Sequence, residues 1–396
     1  MVRCDVLVVG GGPAGSSCAW RLAQKRVDVI VLDRAEFPRS KLCAGWITPQ
    51  VLATAHVRPE EYQDGRVLQP ITGFRTGLIG GPHVETRYDT TVSYAIRRSE
   101  FDTYLLRRAG ARLRLGWAVT SIVRRGDAWV IAAAAASPLD RRERPEASDG
   151  SETIEFTAPM LVGAGGHFCP VARALSGAGR RQEPVIAARE VEFEMTAAQQ
   201  AACPVSSEMP EIYFCRDLAG YGWIVRKGIF LNVGFGRRGA ERLRTHVAAF
   251  VEVLEGWGRL PPGTPTGWPG HPYLLYESTP RQLLDEGVVL VGDSAGLAYS
   301  QSGEGIRPAI ESGLLAAETI IKADGRYDRE RLEGYRRRLV ARLGPPGPRH
   351  DLARWLPRSL RVSLARRLLR SGRFARRVLL DRWFLRRNTP PLEDGF

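Results

Sequence analysis

The sequence has few cysteines, and they show none of the spacings that indicate a structural role. Six cysteines occur in 396 residues, without a CxxC pair or a zinc-ligand pattern. This excludes a disulfide framework and a cysteine-ligated metal, and it indicates a reducing, cytoplasmic environment. We therefore predict no bound metal.

Long apolar runs are also missing. No uncharged apolar run reaches 18 residues, which excludes a membrane-spanning helix. The first apolar run is short enough to be a buried strand, so we expect no secretory signal. No internal repeat is visible. At 396 residues, the chain should form more than one compact domain.

Acidic residues are outnumbered by basic ones. The counts are 43 Asp and Glu against 57 Lys and Arg, for a net charge of +14. Such an excess predicts an anionic partner, which would be phospholipid headgroups, a diphosphate or nucleic acid. Nucleic acid is disfavoured because no recognised binding module accompanies the charge.

What is present is organised around residues 5–33, which read as strand, glycine turn, helix and strand. Three glycines at GxGxxG spacing permit a tight turn, a close approach to a pyrophosphate and close helix packing, and an acid follows the second strand. The alternative is a glycine-rich turn in an ordinary βαβ unit. Because the motif begins within the first dozen residues, it favours FAD over NAD. The predicted cofactor contacts are Gly10, Gly12, Pro13, Ala14, Gly15, Asp33 and Arg34.

Two later strands also run into glycines. Residues 159–166 predict a buried strand that approaches the cofactor, followed by His167, which is either catalytic or an ordinary loop histidine. Residues 287–318 predict a strand, an acid that accepts a ribityl hydroxyl, and a helix whose positive end faces the flavin pyrimidine. The predicted contacts in these two segments are Ala164, Gly165, Gly292, Asp293, Gly303, Gly305 and Ile306.

A proline-containing loop follows Asp33, and its Lys41, Cys43 and Ala44 are further predicted cofactor contacts. Cys43 is either a small buried apolar residue or a polar group that faces the flavin ring. Arg97 and Arg98 precede a predicted helix, where one of them reaches the FAD diphosphate or both are solvated.

These segments predict an α/β protein with a Rossmann-type FAD-binding domain, built on a parallel sheet from residues 1–69, 97–183 and 284–324. Alternating, aromatic-rich runs predict an α+β second domain, an antiparallel substrate-binding sheet from residues 70–96 and 184–283. The polar segment 138–152 reads as a flexible surface loop. Residues 325–396 form a basic amphipathic helical region.

That last region is unusually basic. Residues 351–387 contain twelve Arg and two Asp, with apolar residues at helical spacing that include Leu352, Trp355 and Leu356. Pro357 predicts a helix start and Gly372 a stop. The pattern fits helices lying peripherally on the inner face of the membrane. It fits equally well helices whose apolar faces cover the substrate domain.

The segments GGGPAG, VLVGDSAG and SGEGIRPAIESGLLAAE resemble flavoproteins of the p-hydroxybenzoate hydroxylase fold. Two further stretches resemble the geranylgeranyl reductase family. KLCAGWITP is similar to its K-x-C-G-G loop, and YGWIVRKGIFLNVGFG to its Y-x-W-x-F-P segment. In YAIRRSEFDTYL, Arg98 falls on that family's cofactor-contacting arginine. The resemblance covers about residues 1–320.

The resemblance implies reduction of carbon–carbon double bonds in prenyl chains of a lipid or quinone, with FAD and an external reductant, NAD(P)H or reduced ferredoxin. Cys43 would deliver a proton or contact the flavin ring. Tyr221 and Trp223 would be catalytic-site residues that line the cavity, and the alternative is that they are ordinary core aromatics. Ala44 departs from the family's glycine. Val225 and Arg226 replace its Phe-Pro, and Arg226 would meet an anionic head group at the cavity.

Two other functions remain open. One is an FAD-dependent monooxygenase that hydroxylates an aromatic or a quinone. The other is an electron-transfer flavoprotein that passes electrons to a quinone through its basic tail. The sequence shows no second glycine-rich βαβ unit for stably bound NAD(P)H.

Overall fold

The computed structural model describes residues 1–136, 152–176, 185–239, 241–276, 281–346 and 357–393. Its strands are β1 (Val2–Arg3), β2 (Val6–Val9), β3 (Val29–Asp33), β4 (Trp46–Ile47), β5 (Leu68–Ile71), β6 (Gly73–Leu78), β7 (His83–Arg87), β8 (Ser93–Ile96), β9 (Arg112–Leu115), β10 (Trp117–Arg125), β11 (Ala128–Ala135), β12 (Thr153–Ala158), β13 (Met160–Gly163), β14 (Val185–Glu194), β15 (Glu211–Phe214), β16 (Gly220–Lys227), β17 (Phe230–Arg238), β18 (Gly270–Leu274), β19 (Leu284–Asp285) and β20 (Val288–Leu290). Its helices are α1 (Pro13–Gln24), α2 (Pro49–Thr54), α3 (Pro59–Tyr62), α4 (Arg98–Arg107), α5 (Pro170–Ser176), α6 (Ala197–Ala202), α7 (Leu243–Gly256), α8 (Ile306–Ala323), α9 (Arg329–Leu343), α10 (Arg358–Leu368) and α11 (Gly372–Phe374), followed by a π-helix (Ala375–Phe384). Most of the predicted loop 138–152, and Leu352, Trp355 and Leu356, lie outside the described residues.

The first sheet has the order β19-β20-β13-β2-β3-β9. Its strands pair in parallel except at β19, which is antiparallel to β20. Every residue of Val6–Val9 is buried, as expected for a parallel strand covered on both faces. Because β2, β13 and β20 are neighbours, the three glycine-containing turns that follow them meet at one edge. The predicted Rossmann-type fold is confirmed.

Helices α1 and α8 pack side by side unusually closely. A Cβ atom added at Gly313 would lie 2.2 Å from the main-chain oxygen of Ala14. A Cβ at Gly292 would lie 2.9 Å from the Cβ of Ala14, and the Gly292 N–H donates to Ser312 Oγ at 2.9 Å. Gly292 and Gly313 therefore allow the turn after β20 and helix α8 to contact α1.

The second large sheet has the order β18-β14-β17-β16-β15-β6-β7. It is antiparallel except for one pair, since β6 and β15 run parallel, with Glu211 opposite Arg75. The second sheet is thus antiparallel, as predicted, apart from this one pair. The two strands come from chain segments far apart in sequence, so no hairpin joins them.

Two small sheets complete the described strands, β1-β12-β11-β10 and β4-β8-β5. The second of these holds the end of the cysteine loop. Trp46 pairs with Ala95, and the Ile96 N–H donates to the Gly45 carbonyl oxygen at 2.6 Å. The loop is thereby fixed beside the start of α4.

The C-terminal region divides into parts with different surroundings. Helix α9 places Leu332, Tyr335 and Leu339 in the same core as the parallel sheet, although we assigned it to the C-terminal region. The apolar periodicity of α9 predicts a buried face but not the partner that covers it. Gly372 begins α11, with Ser371 as its N-cap, so the predicted stop at Gly372 is wrong. Helix α10 already ends at Leu368.

The π-helix and α10 differ in their exposure. The π-helix buries Leu379, Leu380 and Phe384 against the second sheet. Helix α10 instead leaves apolar side chains in solvent: Leu360 is 57% exposed, Leu364 51% and Leu368 36%. No helix in the described part of the chain is long and apolar enough to cross a membrane.

Candidate active site

The glycine turn, residues 10–15, joins β2 to α1. Gly10 has φ +117°, and a Cβ there would lie 2.3 Å from the Ala164 main-chain oxygen. Asp33 braces the turn from the end of β3. Its Oδ2 accepts from the Gly11 N–H at 2.7 Å, and its Oδ1 accepts from the Ala35 N–H at 2.9 Å. Asp33 therefore fixes the turn in addition to its predicted ribose-binding role.

The N-terminus of α1 fits the diphosphate of FAD. Gly12 caps it, Pro13 opens it, and within the described residues no side chain supplies a capping hydrogen bond. A Cβ at Gly12 would meet only the guanidinium of Arg39, at 3.3 Å. Uncapped N–H groups, a helix dipole and a cation are together what a diphosphate requires. We did not predict Arg39, although it follows Pro38 in the same loop as Lys41. Arg34 is exposed.

The ends of β13 and β20 lie beside this turn. The Ala164 N–H donates to the Val9 carbonyl oxygen at 2.8 Å, and the Gly166 N–H donates to Ser294 Oγ at 3.0 Å. Gly165, next to Ala164, is exposed. Gly292 has φ +59°, a left-handed conformation that suits glycine. The structure thus brings the predicted contacts of three separate segments to one edge.

Lys41 connects the cysteine loop to the β20 turn. Its Nζ lies 3.8 Å from Asp293 Oδ2 and 2.7 Å from His271 Nε2. Burial lowers the pKa of Lys41 in spite of Asp293. Burial, and next the charge of Lys41, also hold the pKa of His271 well below its usual value. This cation-rich environment favours an anionic ligand.

The turn before α8 holds a carboxyl group where we predicted the flavin ring edge. Gly303 has φ +72°, and the space beside it is occupied by the Tyr273 hydroxyl. Glu304 Oε1 accepts from the Arg307 N–H at 2.9 Å, in the first turn of the helix that Gly305 caps and Ile306 begins. Burial raises the pKa of Glu304 to about 7, partly opposed by that hydrogen bond. A titratable group therefore lies at the helix N-terminus.

Arg98 is buried at the start of α4. It donates to both oxygens of Asp102, at 2.8 and 2.9 Å, and lies beside the side chain of Cys43. Arg39 also contacts Asp102, at 3.4 Å. Arg97 points elsewhere, towards Glu192 at 3.3 Å. Of the two predicted arginines, Arg98 is the one close to Cys43.

Cys43 is half-buried, whereas the other five cysteines are buried. Its Sγ accepts a hydrogen bond from the Gly45 N–H at 3.4 Å. Its main chain contacts the second sheet through Glu190 and Asn232. Ala44, which follows it, packs against the apolar core of that sheet. Cys43 thus lies between the two predicted domains.

An aromatic wall covers one face of the second sheet beside this loop. Its rings lie 5.6–6.4 Å apart in a connected series. Its members are Trp46, Phe214, Tyr221, Trp223 and Phe384. The Tyr221 hydroxyl donates to the Ser302 carbonyl oxygen, and this joins the wall to the turn before α8.

The expectation for Arg226 is wrong. Residues alternate between the two faces of a strand, and Trp223 and Val225 lie on the aromatic-wall side of β16. Arg226 therefore lies on the opposite face, where its Nη1 donates to the Cys203 carbonyl oxygen at 3.4 Å. His167 lies in a 3₁₀ turn at residues 166–168, next to the exposed Phe168.

The chain is similar to known oxidoreductases. The family described as FAD dependent oxidoreductase matches residues 5–97. A digeranylgeranylglycerophospholipid reductase of Methanocaldococcus jannaschii is 28% identical over 354 residues, covering 84% of this chain and 81% of that protein. A menaquinone reductase of Mycobacterium tuberculosis is 29% identical over 342 residues, covering 81% and 77%.

Solved structures share the fold. A geranylgeranyl bacteriochlorophyll reductase-like protein from Thermoplasma acidophilum matches with a TM-score of 0.72 at 20% identity, covering 93% of this chain and 88% of that one. A single-residue mutant of the halogenase PltM in complex with FAD matches with a TM-score of 0.66 at 16% identity, covering 86% of this chain and 74% of that one.

The fold, the glycine turn and the family match define the class: the chain is an FAD-dependent oxidoreductase. Within that class its relatives include geranylgeranyl-type reductases, which confirms the resemblance found in the sequence.

Proposed function

We propose that the protein reduces isolated carbon–carbon double bonds in the prenyl chain of a membrane lipid or a prenylated quinone. The observation that carries this proposal is the aromatic wall beside Cys43. The five rings form a connected apolar layer in which only Phe214 and Tyr221 are half-buried, and such a lining suits a hydrocarbon chain better than a small polar substrate. The relatives named digeranylgeranylglycerophospholipid reductase and menaquinone reductase support the same substrate class.

FAD, when bound and reduced, supplies the hydride equivalent that such a reduction needs. The glycine turn, Arg39 and Lys41 would hold its diphosphate, and Asp33 its ribose. The aromatic wall would orient the prenyl chain and exclude water, which matters because an isolated alkene accepts hydride poorly. We assign to the Cys43 thiol the proton that the second carbon receives. The Gly45 N–H donates to that thiol, and the Arg98 guanidinium lies beside it.

The first test is the mass of the lipid product. The purified protein would be reduced anaerobically and mixed with prenyl diphosphates, prenylated quinones and a lipid extract. We expect hydrogen pairs to be gained without oxygen. Gain of one oxygen, only in air, would instead identify the monooxygenase. Rapid quinone reduction with every prenyl chain unchanged would identify the electron-transfer flavoprotein.

Cys43→Ala tests the role of the thiol. We expect it to keep its FAD and lose most of the reduction, since proton transfer by a positioned side chain contributes about 10²–10⁴-fold. Cys203→Ser is the matched control, because Cys203 lies in the core on the opposite face of the second sheet. Equal rates for Cys43→Ala and the unaltered protein would remove Cys43 from the mechanism.

We propose that the external reductant is either NAD(P)H or reduced ferredoxin. Stopped-flow bleaching of the flavin absorbance by each donor distinguishes them. The donor that bleaches the flavin at or above the turnover rate is the physiological type, and failure of both would require a different donor.

We further propose that the protein acts on the membrane surface through α10. Leu360, Leu364 and Leu368 recur at every fourth residue, so they share one helix face, and all three are exposed. Residues 357–380 carry eight arginines and no acidic residue. An apolar stripe flanked by cations fits an anionic lipid surface. Arg366 ties the helix to the body, because its Nε donates to the Arg216 carbonyl oxygen at 2.8 Å.

Vesicle sedimentation tests this surface. A triple Leu→Ser variant at 360, 364 and 368 should lose binding to phosphatidylglycerol vesicles, while Val123→Ser, 47% exposed elsewhere, should keep it. Phosphatidylcholine vesicles should bind weakly in both cases. Unchanged binding by the triple variant would contradict the assignment of α10.

A further inference from the structure

A set of polar side chains lies beneath the cysteine loop, on the face of the second sheet that carries the aromatic wall. We call it the buried polar cluster, and its members are Glu190, Glu192, Lys227 and Asn232. Glu190 is 4% exposed, whereas Lys227 and Asn232 are fully enclosed. Buried polar groups are costly unless each is hydrogen-bonded, so their partners indicate what they do.

The partners of two members are the main-chain groups of one residue. Glu190 Oε1 accepts from the Cys43 N–H, and Asn232 Nδ2 donates to the Cys43 carbonyl oxygen at 3.4 Å. The two side chains lie next to each other, and Asn232 helps to stabilise the charged form of Glu190. Both backbone polar groups of Cys43 are therefore held by side chains of the sheet, on strands about 150 or more residues later.

Glu190 and Asn232 form what we call the clamp on Cys43, and the clamp has further contacts of its own. Asn232 Oδ1 accepts from the Trp223 indole N–H at 2.8 Å, so one amide links the aromatic wall to the cysteine. Lys227 Nζ donates to Glu192 Oε2 at 2.5 Å. A side chain at Gly45 would collide with Lys227, since a Cβ there would lie 2.6 Å from Nζ. The cysteine loop therefore contacts the buried polar cluster directly at Cys43 and at Gly45.

We propose that Glu190 is a positioning residue: with Asn232 it holds the main chain of Cys43 and so fixes where the thiol lies relative to the aromatic wall. The catalytic importance of that position rests on the function proposed above. The clamp itself does not, because it can be measured on the thiol without any substrate.

The charge on Glu190 depends on several neighbours. Burial raises the pKa of Glu190 to about 7, Lys227 and the hydrogen bonds from Cys43 and Asn232 oppose the rise, and Glu192 adds to it. Arg97 pairs with Glu192 at 3.3 Å. The anionic carboxylate is the stronger acceptor for the Cys43 N–H, so the clamp tightens as the pH rises through about 7.

The test is the alkylation rate of Cys43 in the holoenzyme, measured with iodoacetamide and peptide mass mapping. The five other cysteines are buried, so Cys43 is the thiol expected to react. Glu190→Ala should change the rate about fivefold or more, as loss of one net hydrogen bond implies. Glu190→Gln keeps an acceptor and should restore the rate at low pH. It should lack the additional change near pH 7, beyond the ordinary increase in thiolate with pH, that we expect in the unaltered protein.

Glu194→Gln is the matched control, because Glu194 is exposed on the same strand. Asn232→Asp keeps the acceptor for Trp223 and removes the donor to Cys43, so it tests the clamp if Glu190→Ala does not fold. Unaltered alkylation rates in Glu190→Ala or, failing that, in Asn232→Asp would overturn the proposal. Changed alkylation without any prenyl reduction by the unaltered protein would support the clamp and refute the proposed function.

Discussion

Replacing Gly313 by alanine should destabilise the protein, although alanine is the better helix former. Gly313 lies inside α8, where an exposed glycine-to-alanine change stabilises by about 1 kcal/mol. Here the added Cβ would lie 2.2 Å from the main-chain oxygen of Ala14 and 3.2 Å from the Cys18 nitrogen. Both are backbone atoms of α1 and cannot rotate away, so the helices must separate. Overpacking of this kind costs about 1–3 kcal/mol, which exceeds the propensity gain.

Separation of the helices should also weaken FAD binding, because α1 carries the glycine turn at its N-terminus. The assay is urea unfolding of Gly313→Ala together with its FAD content after gel filtration. The matched control is Gly334→Ala in α9, where the nearest atoms to an added Cβ are Arg338 Nη2 at 3.4 Å and Thr319 Cγ2 at 3.9 Å. We expect the control to be stabilised by about 0.5–1 kcal/mol and to retain FAD. Equal stability of the two variants would refute the close packing of α1 and α8.

Three further changes have defined outcomes. Glu304→Gln should remove a pH dependence of stability. Because the pKa of Glu304 is raised to about 7 in the folded protein, the stabilisation that it contributes below about pH 4.5 is lost as the pH rises through 7. The unfolding free energies at pH 5 and pH 8 should therefore differ by about 2 kcal/mol less in the variant, and an equal difference in both proteins would contradict this. Arg307→Met removes a buried guanidinium that donates to the carbonyl oxygens of Thr389 and Pro390 and pairs with Glu311. It should cost about 3–5 kcal/mol in denaturant unfolding and speed amide exchange in residues 386–392, and protection equal to the unaltered protein would argue against the anchor. Phe384→Ala opens the aromatic wall beside Tyr221 and should lower the free energy of unfolding by about 3–5 kcal/mol. It should also raise KM for prenyl substrates more than it lowers kcat. Unchanged kinetics would exclude the ring from the substrate path.

The parts of the candidate site that lie on short local patterns could be predicted from the sequence. The turns after β2, β13 and β20 each follow a buried apolar run, and glycines identify them. Their convergence follows from a rule of parallel sheets, in which ligands bind at the carboxyl ends of neighbouring strands. Arg98 with Asp102 is also a local pattern, since residues four apart share one face of a helix.

The buried polar cluster could not be predicted in the same way. Its side chains come from three strands, and their meeting beneath Cys43 depends on strand register. One signal was available. Glu190, Glu192 and Glu194 alternate along a single strand, an unusual placement for charges on a sheet face that needs covering. The same dependence on register explains the error at Arg226, because one residue along a strand reverses the face.

The C-terminal region shows a third limit of prediction from the sequence. Its apolar spacing correctly indicated amphipathic helices, but amphipathicity does not identify what covers the apolar face. The structure gives different surroundings to α9, α10 and the π-helix. Only the contacts made by each helix distinguish a packed face from an exposed one.

The anchoring of the segment after the π-helix has a consequence for folding. The Leu392 N–H donates to Thr54 Oγ1 across 338 residues of chain, and Tyr88 donates to Asp381 across 293. Contacts so distant in sequence form slowly, because a long loop must close before they contribute. Until then Trp46, Phe214 and Tyr221 lack the ring of Phe384 that covers them. The newly made protein therefore passes through a stage in which the aromatic wall is open to other chains, and it should depend on chaperones most strongly at that stage.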